Sequence, residues 1–158
     1  MIYTVGYQKL TMPRLEWLMA RLKIDVLIDV RSEPRSRRPE FNIGRLAQAL
    51  GARYEWRPSL GGFQQIDPTA LDALENEPRH VMLMCMEEAP GECHRHFAIA
   101  AQLLHRCQVI HVFRDELVDA QELQRSIEVE DEYEILEMLP AEDAAVAAEP
   151  PAADAPKV

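Results

Sequence analysis

The chain has 158 residues, 47% of them hydrophobic and 28% charged, with three cysteines and a formal charge of -10. That length suits one domain with a real core plus a tail rather than two full domains. Three unevenly placed cysteines exclude a secreted disulfide framework, no uncharged run could span a bilayer, and Met1-Ile2-Tyr3-Thr4-Val5 lacks a basic region, so a cytoplasmic protein without membrane attachment is expected.

The acidity is concentrated at one end. Glu128 to Val158 carries ten acids and one base, which leaves residues 1–127 with seventeen acids and sixteen bases, a net of -1. Within that near-neutral part, Arg31 to Arg57 holds seven arginines against three glutamates. Such a local excess of positive charge suits a phosphate or a carboxylate.

Ile2 to Val5 alternates and is β-rich, and Gly6-Tyr7-Gln8 ends it, which predicts a first strand and a turn. Thr11 is placed to cap a helix whose Leu15, Leu18, Met19 and Leu22 share one face. Val26-Leu27-Ile28-Asp29-Val30 is apolar on both faces, as a central parallel strand should be, and it delivers Arg31 at its carboxyl end. Ser32 to Phe41 follows as a proline-containing loop with Arg35, Arg37 and Arg38. Asn42 is the expected cap of a helix bearing Ile43, Leu46 and Leu50, and Tyr54-Glu55-Trp56 the next strand. Leu60-Gly61-Gly62 offers adjacent glycines for close backbone approach or positive φ, and Asp67-Pro68 opens a helix with Leu71 and Leu74.

The apolar run Val81 to Cys85 predicts the fourth strand. After a short polar loop, Cys93 opens a helix with Phe97, Ala98, Ala101 and Leu103 or Leu104 available to its buried side. Val109 to Val112 is the fifth strand; Leu117-Val118 and Gln121 to Ile127 add a helical turn or an edge strand. Together these elements predict an α/β protein, a Rossmann-like three-layer fold on a mainly parallel sheet of about five strands. The domain spans 1–127, with an extension at 128–138. Residues 139–158, rich in alanine, proline and acid, bury too little to offset their ordering entropy and are expected to be disordered.

Several of these stretches carry a family resemblance: Tyr3-Thr4-Val5-Gly6, Leu27-Ile28-Asp29-Val30-Arg31 with Pro34, Ser36 and Arg37, then Phe41, Leu60-Gly61-Gly62, and Cys85-x-Glu87-x-x-Pro90-x-x-Cys93-His94-Arg95. Across residues 2 to 113 the chain resembles the family called domain of unknown function 488. The resemblance implies little about chemistry, since that family is defined by sequence. Its members often show Gly-His-Ser after the first strand, where this chain has Gly6-Tyr7-Gln8, so Tyr7 stands in the histidine's place.

The candidate site lies at the strand ends, where open parallel sheets keep their ligands. Cys93, in a helix's first turn with Arg95 or Arg31 nearby, has the setting of a reactive thiolate, and Cys85 is either a second site thiol or a small core hydrophobe. Glu87 and His94 are positioned to move protons, with Glu87 alternatively holding the turn. Arg31 and Arg95 would receive an anion in a forked geometry, or stabilise the loop by pairing with Asp29 or Glu87; Tyr7, Arg37, Gly61 and Gly62 complete the anion-binding set. His96, His105 and His111 lack motif context and receive no role. No cofactor is expected. Zinc is disfavoured because seven residues separate the cysteines, beyond the usual Cys-x2-4-Cys spacing, and because adjacent Cys93 and His94 point apart on a helix.

The favoured reading is therefore an enzyme, a cysteine-dependent hydrolase or transferase, acting on a phosphate-bearing small molecule or nucleic-acid component. One alternative is a non-catalytic nucleic-acid module that uses the Arg31–Arg57 segment, with Tyr54, Trp56 and Phe63 stacking on bases. A second is a rhodanese-like or phosphatase-like cysteine loop. It is weakened by Glu87 and Glu88, which would repel an anion and raise the Cys85 pKa.

Overall fold

A computed structural model describes residues 1–62 and 66–138; Phe63 and the expected disordered tail 139–158 lie outside the described residues. The chain divides into two compact units, Met1–Gln124 and Arg125–Val158. The first unit is a mixed α/β fold: β1 (Ile2–Gly6), α1 (Met12–Arg21), β2 (Val26–Asp29), α2 (Ile43–Leu50), β3 (Tyr54–Trp56), α3 (Pro68–Glu75), β4 (Val81–Cys85), a π-helical segment Arg95–Ala100 continuing into α4 (Ala101–Leu103), β5 (Val109–Phe113) and β6 (Glu116–Asp119). Helix α5 (Ala120–Met138) runs from the first unit into the second.

The six strands are ordered β3-β2-β4-β1-β5-β6, all parallel except β6. Right-handed crossovers explain the layering. Connections from β1 to β2 and from β2 to β3 run one way across the sheet, so α1 and α2 cover one face, packing Leu15, Leu18, Met19, Leu46 and Leu50 against Leu27, Met82 and Met84. Those from β3 to β4 and from β4 to β5 run the other way. They place Leu71, Leu74, Ala98, Ile99 and Leu103 on the opposite face, against Val26, Ile28, Leu83 and Cys85. Strand β4 is buried at every position because it is covered on both faces.

Two expectations are sharpened. The segment after Asp115 is both strand and helix: β6 pairs antiparallel to β5, Phe113 opposite Glu116, across a two-residue turn in which Arg114 takes φ 56°. The expected inward placement of Phe97 is corrected, since Phe97 is exposed while Arg95, His96, Ala98, Ile99 and Ala100 are buried. The wider π winding of Arg95–Ala100 turns a different set of side chains inward than an α-helix would.

The topology creates the crevice. Strands β1 and β2 send their chains to the α1/α2 face, while β4 between them sends its chain to the other. Cys85 therefore ends β4 at a topological switch point, where open sheets of this kind hold ligands. Gly6 makes this end compact, because a Cβ there would sit 1.7 Å from the Glu87 carbonyl oxygen. Gly6→Ala should therefore cost about 1–3 kcal/mol by forcing backbone against backbone. Urea unfolding checks it; an unchanged midpoint would show that the Glu87 turn simply moves aside.

Candidate functional site

Cys85 comes from the end of β4 and Cys93 from the residue before the next helix. Cys93 is extended, with φ -125° and ψ 143°, and its carbonyl accepts from the His96 and Phe97 amides. His94 already has helical angles. This break between neighbours lets both side chains turn the same way, which a continuous helix would forbid. The sequence-based objection to their sharing a ligand thus fails: the Cys85 and Cys93 sulfurs and a His94 nitrogen lie within 4.8 Å of one another, and the three could hold a metal ion.

The imidazole is oriented by backbone. His94 Nε2 is 3.0 Å from the Val30 carbonyl, which can only accept, so Nε2 carries the proton. Nδ1 then faces Cys85 Sγ at 3.5 Å and Cys93 Sγ at 3.9 Å. Cys85 Sγ also donates to Glu87 Oε2 at 3.2 Å. All three residues are buried, Cys93 fully.

Electrostatics separates the two thiols. Hydrogen bonding from Cys85 holds the Cys93 thiol down; burial opposes this, and His94 and the Arg95 charge reinforce it. Cys85 is pushed up, first by its bond to Cys93, then by burial and by the negative charge of Cys93 and Glu87. The expected effect of Glu87 on Cys85 is present, but the other thiol outweighs it. Burial works against both the Glu87 carboxylate and the His94 imidazolium. Bonds from Cys93, its own backbone and Cys85 nonetheless keep Glu87 below the usual carboxylate range, while Cys93 and the Val30 carbonyl raise His94.

The two arginines expected to share an anion have separate partners. Arg31 lies against Asp29 through Nε at 2.8 Å and Nη2 at 2.6 Å, and also donates to the Phe41 carbonyl and the Tyr7 hydroxyl. Arg95 donates to the Glu87 and Glu88 carbonyls and clamps the loop, while its buried Nε has no partner among the described residues. Tyr7 stacks on Phe41 with centroids 4.6 Å apart. A Cβ on Gly61 would lie 2.7 Å from the Ser32 nitrogen, so that glycine serves loop packing, and Gly62 takes φ 90°. Arg37 is exposed and lines an open cavity with Tyr7, Gln8, Arg35, Ser36, Arg38 and Met86. Met86 in its lining is the residue after Cys85.

Sequence reasoning gave no role to His96 and His111, which form a buried chain: Thr4 Oγ1 to His111 Nδ1 at 2.7 Å, His111 Nε2 to His96 Nδ1 at 3.0 Å, and His96 Nε2 to Gln124 Oε1 at 3.2 Å. The available signal was His111 falling in register beside Thr4 on neighbouring strands.

Fold and site together define a three-layer α/β protein with a thiol–imidazole cluster at the switch point of its parallel sheet. A family model described as Domain of unknown function DUF488 matches residues 14–73, which bears out the family resemblance read from the motifs. The matched span holds Arg31, Arg35, Arg37, Arg38, Gly61 and Gly62; the Cys85-to-Arg95 cluster lies beyond it. No curated protein and no solved structure matches the chain. Among the described residues, no helix is long and apolar enough to cross a membrane.

Proposed function

We propose that this protein is an enzyme acting on a phosphate-bearing substrate, a nucleotide or nucleic-acid component, at a zinc centre ligated by Cys85, Cys93 and His94. One observation carries the zinc centre: His94 donates an Nε2–H hydrogen bond to the Val30 carbonyl and turns Nδ1 toward both sulfurs. Metal-bound histidines are oriented in this way. Tetrahedral zinc bonded at 2.0–2.3 Å needs ligand atoms about 3.3–3.8 Å apart, so the cluster needs to contract by about 1 Å at most.

Zinc held by Cys85, Cys93 and His94 would supply Lewis-acid polarisation of a substrate or water oxygen. Glu87, held ionised beside Cys85, is the group placed to take a proton there. Arg95 positions Glu87 by fixing its carbonyl. Complete burial of Cys93 favours ligation over nucleophilic attack, which requires contact with substrate. Free thiols suit a reducing cytoplasm, where we place the protein.

The opposed shifts of the two thiols favour one second reading, a reactive Cys93 thiolate assisted by His94. The nucleic-acid module receives less support, because Tyr54 donates to Asp29, Trp56 donates to the Arg31 carbonyl, and Arg31, Arg38 and Arg57 are in ion pairs.

Metal analysis separates the first two readings. As-purified protein should hold one zinc per chain, and cobalt substitution should give thiolate charge-transfer bands. Cys93→Ser or His94→Gln should each weaken metal binding by about 100-fold or more. Protein that takes up no metal at micromolar zinc, while Cys93 alkylates readily at neutral pH, would overturn the zinc centre in favour of the thiolate.

A further inference from the structure

We infer that the cavity bounded by Arg35, Ser36, Arg37 and Met86 is the phosphate subsite of this enzyme and takes the phosphate of a nucleoside monophosphate. The inference deepens the proposed function and rests on it for the identity of the substrate, but its evidence lies outside the thiol–imidazole cluster.

Charge singles out this cavity. Its volume is about 490 Å³, and its lining of Tyr7, Gln8, Arg35, Ser36, Arg37, Arg38 and Met86 contains three guanidiniums and no carboxylate. Four other cavities each include an acid among their lining residues: Glu88 and Asp115, Asp119, Glu40, or Asp115 with Glu116. A volume of a few hundred cubic ångströms suits a ligand of mononucleotide size.

The loop that forms the cavity is organised before any ligand arrives. Arg31, anchored on Asp29, donates to the Arg35 carbonyl, and the Ser36 amide donates to Asn42 Oδ1 at 2.7 Å. Asn42, expected as a helix cap, makes no side-chain cap bond and braces this loop instead. Arg38 donates to the Tyr7 carbonyl at 2.9 Å and the Gln8 carbonyl at 3.2 Å, pairs with Glu40 and lies over the Phe41 ring. Arg38 is therefore a structural wall, joining the loop to the exit of β1.

Arg35 and Arg37 differ from it. Their guanidiniums have no hydrogen bond or ion pair among the described residues, and both are exposed at the cavity. Ser36 Oγ accepts from the Arg38 amide, which leaves its O–H to donate. Two unpaired guanidiniums and a hydroxyl on a braced loop match a phosphate dianion, whose oxygens take forked donors. Met86 in the lining follows Cys85 directly, so the cavity and the proposed reaction centre meet along the chain at the end of β4.

The test is calorimetric titration of the full-length protein with adenosine monophosphate, adenosine and a single-stranded oligonucleotide, at two salt concentrations, with zinc content measured on the same samples. Adenosine monophosphate should bind at least about tenfold more tightly than adenosine and weaken with salt. Arg35→Gln/Arg37→Gln should remove that difference while zinc content stays unchanged, whereas Arg45→Gln, outside this cavity, should leave it intact. Equal binding of nucleotide and nucleoside, an unaffected double variant, or binding of the oligonucleotide alone would overturn the inference. Protein that takes up no metal at micromolar zinc yet binds the nucleotide through Arg35 and Arg37 would overturn the zinc centre and leave the subsite standing.

Discussion

Asp29→Ala should be among the most destabilising single substitutions in the chain, costing about 3–5 kcal/mol, the range for removing one partner of a buried ion pair. Asp29 is fully buried at the end of β2 and accepts from Arg31 Nε, Arg31 Nη2, the Arg31 amide and the Tyr54 hydroxyl, the last at 2.7 Å. Burial alone would lower the Arg31 pKa, yet the bonds and charge of Asp29 raise it, so the guanidinium stays charged inside the fold. Without the carboxylate, that charge is left, among the described residues, with only the neutral Phe41 carbonyl, Arg35 carbonyl and Tyr7 hydroxyl as acceptors. Tyr54, whose hydroxyl burial and Asp29 both keep protonated, loses its acceptor as well.

Arg106→Ala provides the contrast. Its pairs with Asp72 and Glu75 lie at the surface, where solvent screens them, so their loss should shift the unfolding midpoint far less. Urea unfolding of both variants gives the comparison, and a second background identifies the cause. In Arg31→Met protein, the Asp29→Ala penalty should shrink to well under half, since no buried cation remains to be stranded. A penalty near 1 kcal/mol in the native background, or one undiminished by Arg31→Met, would show that the pair does not hold this strand end.

What sequence could and could not reveal follows the range of the interactions. Strands β2 and β4 were legible because burial on both faces leaves a continuous apolar run, and Thr11 and Asp67 were legible as caps because capping is local. With five strands linked through four helical connections, right-handed crossovers restrict the layers, so the switch point at Cys85 also lies within reach of sequence reasoning. The hairpin into β6 turns on Arg114 at positive φ, a conformation that arginine does not advertise. Phe97 was misplaced because hydrophobic spacing was read at the α-helical period where the backbone is π-wound. Cys93 and His94 look divergent only if the helix begins before Cys93. A one-residue difference in where it starts decides whether a metal set exists, and helix boundaries are the least legible feature of a sequence. Arg31 and Arg95 were recognised as special, but whether a guanidinium meets a ligand or its own loop depends on carbonyls brought near by tertiary folding.

Lowering the pH from 7.5 to 5 should remove about 2 kcal/mol of stability through the buried histidine chain, most of it from His111. Gln124 Oε1 only accepts, so His96 Nε2 carries a proton and His96 Nδ1 accepts from His111 Nε2–H; His111 Nδ1 then accepts from the Thr4 hydroxyl. Every polar atom of both rings is satisfied only while both are neutral. An added proton would set one N–H against another donor in a site without solvent. Burial accordingly holds His111 down at about 3, assisted by His96 and the Arg95 charge against a weaker upward pull from Asp119. Burial likewise lowers His96, with Arg95 assisting and Gln124 opposing.

For a group depressed in the folded state, the unfolded chain binds more protons below its own pKa of about 6.5. The chain's contribution is thus complete above that value and declines as pH falls toward about 3. His94, raised in the fold, acts in the opposite sense: its contribution is present at low pH and lost as pH rises through its folded value. A difference experiment cancels it. The stability lost between pH 7.5 and 5 should be about 2 kcal/mol smaller in His111→Gln than in the native protein. The His111 ring protons should show no titration by NMR down to pH 5, and those of His96 should titrate below the free-imidazole value. Equal pH slopes in the two proteins, or imidazole titration near 6.5 in the folded state, would show that protons enter this core without cost.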